Sequence, residues 1–403
     1  MSDAPFNDAP MSNAEQVARV QAALREAELD GWLFFHFRGQ NPIATAMLGL
    51  GWTSRRSFTL IPSEGDPSTL IHAIEHSSWR HWPWGIIDYA GWREMESRLS
   101  ELIDGRKRLA LEVSPRSSVP TLDRVPSGIL DLLREAGVDP MSSGNLVSTF
   151  HSVWSKEQLE AHKVSAETIR AVAMDAFTRA TEHARVGKPL LEGQLSEWIR
   201  DELAARGLPV DADAHVAIGP NAADPHYNPR DAGDKVAEGE VLLIDLWAKP
   251  SEGGVFADQT WMGILSDAVP DRLQTIWEAV RGAREAGIDF LRSSHEQGRE
   301  VRGYEVDDVC RGFIADRDFG EFFVHRTGHS MDVELHGSGP NLDNLETRDD
   351  RLLVQGVGFS VEPGIYIPGD VGVRSEINVH WGAGGPEVTP RERQAEILVL
   401  LGG

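Results

Sequence analysis

The run VLLID, residues 241–245, followed after a short break by GGVFADQTWMGIL, residues 253–265, decides how this chain folds. The first run is apolar until its last position and reads as a strand buried on both faces, since a strand wetted on one side would alternate. The second is rich in β-branched and aromatic residues. Pro250, Gly253 and Gly254 between the two supply turn chemistry, so the pair reads as a hairpin. Each strand carries one carboxylate, Asp245 and Asp258, in surroundings where an uncompensated charge is costly.

Three segments further along complete the pattern. GFSVEPGIYI, residues 358–367, sets Glu362 between a strand pattern and a Pro-Gly stop. In VGVRSEINVH, residues 371–380, the period of two puts Val371, Val373, Ile377 and Val379 on one face and Arg374, Glu376, Asn378 and His380 on the other. HRTGHSMDVELH, residues 325–336, holds His325, His329 and His336. A lone histidine is ordinarily a satisfied imidazole, and one acid among 63 Asp and Glu is ordinarily a solvated charge. Acids inside apolar strands, beside a run of histidines, are the exception. Asp245, Asp258, His329, Glu362 and Glu376 are five residues of metal-ligand type. Their four carboxylates could not all stay ionised in an apolar core without added positive charge, and two divalent cations would supply it.

These residues, with NAADPHYNP at 221–229, resemble the pita-bread metallopeptidases, which include prolidase, Xaa-Pro aminopeptidase and methionine aminopeptidase. The match runs in order from Asn221 to Glu376, and the N-terminal half resembles the extra creatinase-like domain of the proline-directed branch. The resemblance implies that Asp245 is the terminal carboxylate of one metal, Asp258 and Glu376 bridge, and His329 and Glu362 are terminal ligands of the other. It implies that His226, His336 and Arg374 contact substrate and that His325 is accessory to them. Glu362 would shuttle a proton, His226 and His336 would donate to the scissile carbonyl, and Arg374 would meet a substrate carboxylate.

Oxygen and imidazole donors without thiolate suit manganese, cobalt, zinc or iron(II), with manganese the first expectation. Two such ions support hydrolysis by activating a water. The implied substrate is a short peptide with proline second, cut by an Xaa-Pro dipeptidase; an Xaa-Pro aminopeptidase acting on longer peptides is the alternative. A metal-independent creatinase-like hydrolase and an inactive binding module are disfavoured by the complete ligand set, and methionine aminopeptidase by the extra domain. The sequence departs from the family at Asp245-Leu246-Trp247 in place of Asp-x-Gly, at Thr260-Trp261 in place of Thr-Arg, and at Arg326 in place of glycine. Trp247, Trp261 and Arg326 are large, so substrate preference does not carry over. The resemblance also implies a homodimer whose N-terminal domain walls the partner's site, with the tryptophans from Trp79 to Trp84 as contributors.

Composition sets bounds. With 403 residues the chain has length for two cores. A net charge of −24 argues against nucleic-acid or anionic-membrane partners. Cys310, the single cysteine, reads as a packed residue, and with no signal pattern at the N-terminus a reducing, cytoplasmic location is expected. The expected fold is α+β. Residues 1–11 form a tail, and an α/β domain spans 12–154, opened by a helix capped at Ser12. A catalytic domain with a curved, mostly antiparallel sheet and outer helices spans 155–403, opened by a capping box at Ser155 and Gln158.

Overall fold

The N-terminal sequence builds a six-stranded mixed sheet from β1 (Gly31–His36), β2 (Ser57–Pro62), β3 (Ser68–His72), β4 (Gly85–Tyr89), β5 (Arg108–Leu111) and β6 (Asp139–Ser142), in the order β4-β3-β2-β1-β5-β6. The run WLFFH in β1 is buried throughout because both faces are covered. Trp32 and Phe34 enter one core with α1 (Ala14–Glu26) and α2 (Pro42–Leu48), while Leu33 and Phe35 enter the other with α3 (Trp92–Leu102) and α4 (Ser127–Glu135). A last helix, α5 (Gly144–Phe150), closes this part. The computed structural model describes residues 9–229, 232–251 and 253–402, and its contacts divide the chain into two units, Met1–His151 and Ser152–Gly403.

Three expectations change here. The expected tail falls partly on residues 1–8, which lie outside the described residues, but Met11 at its end is fully buried in the core. The first helix is capped by Asn13, not Ser12: the Asn13 side chain accepts from the Glu15 and Gln16 N–H groups. Trp79 and Trp82 are 1% and 6% exposed and pack edge to face at 5.5 Å, and the Trp84 indole N–H donates to the Met11 carbonyl. Trp79 and Trp82 are thus consumed by the core of their own unit, while Trp84 stays partly exposed at its edge.

In the second unit, the capping box at Ser155 and Gln158 opens α6 (Lys156–Arg185), followed by α7 (Glu192–Ala205). Strands β7 (His215–Ile218), β8 (Val241–Ala248) and β9 (Ala257–Ile264) pair antiparallel, with α8 (Asp271–Glu296) and α9 (Gly303–Ala315) next in the chain. Strand β8 is buried on both faces for a simple reason: Val241 and Leu243 enter one core, Leu242, Ile244 and Leu246 the other. The remaining strands are β10 (Ser330–Met331), β11 (Gly358–Val361), β12 (Gly364–Ile367), β13 (Val371–Arg374), β14 (Ile377–Gly382), β15 (Gly385–Thr389) and β16 (Leu398–Val399). They form a β12-β13 hairpin and a sheet ordered β10-β11-β14-β15, while β16 pairs parallel with β9. The segment read as one strand over 371–380 is two, broken at Ser375 and Glu376, and its halves belong to different sheets.

Trp154 fastens β10 to β11. Its indole N–H donates to the Met331 carbonyl at 2.8 Å, and its ring lies over Gly358, where an added Cβ would sit 1.8 Å from the indole. Gly358→Ala should therefore lower stability by about 1–3 kcal/mol, because a rigid ring cannot yield to the methyl. Gly312→Ala, in exposed helix with open space around it, should raise stability by about 0.4–1 kcal/mol. Urea midpoints of the two variants moving in the same direction would contradict this packing.

Candidate metal centre

Sheet register gathers the acids. In the β8-β9 pairing Asp245 lies opposite Thr260 and Trp247 opposite Asp258, so these four side chains share one face. Asn378 on β14 then clasps Asp258 from across the cleft: its Oδ1 accepts the Asp258 N–H at 3.0 Å and its amide donates to the Asp258 carbonyl at 2.6 Å. That clasp brings Glu376, two residues earlier, to the same place, and Glu376 Oε2 accepts from the Thr260 hydroxyl at 2.8 Å. On the opposite side one hydroxyl holds two more residues. Ser360 Oγ accepts the His329 N–H at 2.9 Å and donates to Glu362 Oε1 at 2.9 Å. Gly328 is obligatory beside them, because a Cβ there would lie 2.0 Å from the Ser360 carbonyl oxygen.

All five expected ligands are brought into one buried cleft, each less than one-tenth exposed. One ligand atom each from Asp258, His329 and Glu376 lie within 4.8 Å of one another. His329 Nε2 is 3.4 Å from Asp258 Oδ2 and 3.3 Å from Glu362 Oε1. Its Nδ1 is 3.2 Å from the Ser330 carbonyl, which can only accept, so Nδ1 donates there and Nε2 is the nitrogen that faces the two carboxylates. Burial, with the charges of Asp245 and Glu362, pushes Asp258 well above the usual carboxylate range; burial and the charges of Asp258, Glu362 and Asp245 do the same to Glu376. Asp245 stays low against its burial because the Arg374 guanidinium and His215 face it. Asp245 Oδ1, Asp258 Oδ1 and Glu376 Oε1 are buried without a hydrogen-bond partner. Unmatched buried acceptors on three carboxylates, with an imidazole nitrogen beside them, are a donor set that fits divalent cations.

The outer residues divide. His336 packs edge to face on His329 at 4.4 Å, and burial together with His329 pulls it down to about 4. His325 Nδ1 faces the Arg326 carbonyl at 2.7 Å and its Nε2 meets the Tyr366 hydroxyl at 2.8 Å, so it braces the site floor. His226 is exposed in the loop that follows Ala223, near enough for its charge to act on His336. Arg374 departs from expectation. It is 4% exposed, with Nε donating to Thr260 Oγ1 at 2.8 Å and its other nitrogens to Asp245 and Tyr366. Its fork is occupied by the protein and is not open to a substrate carboxylate. Trp261 also departs: it lies on the other face of β9, 5% exposed in the core against α6 and α7. Arg326 folds back onto Glu346, whereas Trp247 stays on the site face.

Sequence reasoning missed His215, Thr260, Ser360, Asn378 and Tyr366. A signal existed for two of them, since Thr260 and Asn378 share strand parity with Asp258 and Glu376. His215 is opposite Asp245 in the β7-β8 register, which no local pattern discloses.

Residues 160–381 match the model of metallopeptidase family M24. The chain belongs to that family. It is therefore a metallopeptidase, and the family implies divalent metal ions in a cleft of this kind. It is similar to the Xaa-Pro dipeptidase of Lactobacillus delbrueckii subsp. lactis, 35% identical over 41% of this chain and 40% of that one. The fold is shared with dipeptidase PepE from Mycobacterium ulcerans, at TM-score 0.74 and 24% identity over 98% of this chain and 100% of that one. It is shared also with an X-Pro aminopeptidase from Thermotoga maritima, at TM-score 0.61 and 23% identity over 95% and 99%. The pita-bread architecture expected of the sequence is thus the observed one.

Because Arg374 already pairs with Asp245 and competes with a cation for it, Arg374→Ala leaves a buried uncompensated carboxylate and should tighten divalent-metal binding rather than weaken it. Equilibrium dialysis against manganese measures it. Unchanged metal affinity with lost turnover would instead return Arg374 to a substrate role.

Proposed function

We propose that this metallopeptidase hydrolyses the Xaa-Pro bond of short peptides with two divalent ions, manganese first among them, and acts as an Xaa-Pro dipeptidase. The observation that carries the reading is the set of unpartnered carboxylate oxygens on Asp245, Asp258 and Glu376, in the cleft that also holds His329. Asp245, Asp258, His329, Glu362 and Glu376 would hold the ions. When bound, such a pair lowers the pKa of a water and stabilises charge on an attacked carbonyl. Glu362, steadied by Ser360, receives a proton and passes it to the leaving nitrogen. His336, kept neutral by its burial, offers a ring N–H to the carbonyl as charge develops, and His226 approaches from the solvent side. A tertiary amide at the scissile bond has no N–H to satisfy, which suits proline after the cut.

The catalytic unit is read as 155–403 and residues 12–154 as the accessory domain. The protein is read as a cytoplasmic homodimer, with Trp84 rather than the buried Trp79 and Trp82 as the contributor to the partner's site; light scattering should give about twice the 44.4 kDa of one chain. A fully active monomer would end that part. Among the described residues no helix is long and apolar enough to cross a membrane.

A second reading, Xaa-Pro aminopeptidase, is favoured by one observation: Arg374, the expected clamp for a substrate carboxylate, is held by Asp245, Thr260 and Tyr366. Ala-Pro, Ala-Pro-Ala and Ala-Ala, assayed under one manganese loading, separate the two. The dipeptidase cuts Ala-Pro fastest. A tripeptide cut at least as fast makes the protein an aminopeptidase, and equal rates on Ala-Ala remove the proline preference.

Metal content tests the centre itself. The reconstituted protein should hold about two equivalents of manganese, and Asp258→Ala or Glu376→Ala should lose both, since each removes a bridge. His336→Ala should keep both and lose roughly 100- to 1,000-fold in kcat, the usual cost of one donor to developing charge. Full activity of the metal-free protein would favour the creatinase-like alternative.

A further inference from the structure

Beside the buried carboxylates stands an aromatic pair that the metal chemistry does not use. Trp247 shares the site face of β8 with Asp245 and lies opposite Asp258. His215 lies opposite Asp245 on β7, its Nδ1 3.4 Å from Asp245 Oδ2. The two rings meet edge to face, centroids 5.0 Å apart. Neither is sealed in: Trp247 is partly exposed, and the His215 side chain is 29% exposed. Trp261, the neighbouring tryptophan, is by contrast buried in the core on the far face. An indole left partly exposed beside candidate ligands that are each under one-tenth exposed is a surface offered to an apolar group.

We propose that His215 and Trp247 form the wall that reads the side chain of the substrate's first residue, selecting a flat aromatic side chain over a small one. The inference rests on the peptidase reading above. A peptide whose scissile bond lies among the five candidate ligands carries its first side chain within one residue's length of Asp245 and hence against the pair. An aromatic ring on the indole adds stacking that a methyl cannot, worth roughly fivefold in affinity.

The test uses manganese-loaded protein and calorimetric binding of L-phenylalanine amide, L-alanine amide and L-lysine amide, none of which requires turnover. The wild type should bind the phenylalanine amide at least about fivefold tighter than the alanine amide. Trp247→Ala should bring that ratio close to one, and Trp247→Leu should leave part of it, with manganese content unchanged in both. Equal wild-type affinities, a ratio that survives in Trp247→Ala, or tightest binding of the lysine amide would each overturn the proposal, the last because the site would then be reading charge. If no Xaa-Pro peptide is cleaved, the proposed function fails while the amide ratio still decides this wall. Where peptides are cleaved, the kcat/KM ratio of Phe-Pro to Ala-Pro should follow the same order across the variants.

Discussion

Four carboxylates and an imidazole in one cleft, each under one-tenth exposed, form a charge problem that the rest of the second unit is arranged around. Desolvation and mutual repulsion both favour protonation of Asp258 and Glu376. Among the described residues Arg374 is the arginine set against them, and its guanidinium bonds directly to Asp245. The shortfall in positive charge, together with the unpartnered oxygens, is what makes divalent ions the natural complement.

The cleft stays in place because hydrogen-bonding side chains bridge separate sheets at the level of the ligands. Asn378 clasps β9 to β14 through both backbone groups of Asp258, and Thr260 relays from Arg374 to Glu376. Ser360 does the same for His329 and Glu362. Each clasp is short and local, so the ligand geometry is set within a residue or two of each metal-ligand candidate rather than by distant packing. The break at Ser375 and Glu376 belongs to this arrangement. It lets β13 pair with β12 while β14 turns to β11, and Glu376 is left at the junction of the two.

Much of this was legible because alternation survives burial. The period of two in residues 371–380 assigned Arg374, Glu376, Asn378 and His380 to a common side, and all four are buried polar residues. The apolar run ending at Asp245 predicted a strand covered on both faces, which β8 is. What the sequence left hidden was competition among partners. A buried arginine beside a glutamate reads equally well as a clamp for substrate or for protein, and only the register that sets Asp245 against Thr260 shows the latter. The same holds for Trp261 and Trp247, fourteen residues apart with opposite facings, since the hairpin's register and not its composition turns one of them toward the site. Asn13 displaced Ser12 as the first cap for a similar reason: both have suitable side chains, and a 3-10 turn at Pro10–Ser12 moved the helix start by one.

The stretch between β10 and β11 shows how a site histidine is held without regular structure. His336 lies in a long irregular segment whose backbone N–H groups have few ladder partners, and such groups need acceptors if they are not wet. Aspartates supply them. Asp332 accepts from Glu334 and Ser338, Asp343 from Leu345, Glu346 and Thr347, and Asp349 from Asn341. Asp307 on α9 ties the same segment to the strand ligands, accepting from Asn344 on one oxygen and from Thr327, two residues before His329, on the other. Part of the chain's large acidic excess is therefore structural, used as backbone acceptors in place of a sheet. Removing one of the loop carboxylates would loosen the segment that carries His336, while Asp258, Glu376, His329 and Glu362, held by Asn378, Thr260 and Ser360, would be disturbed less.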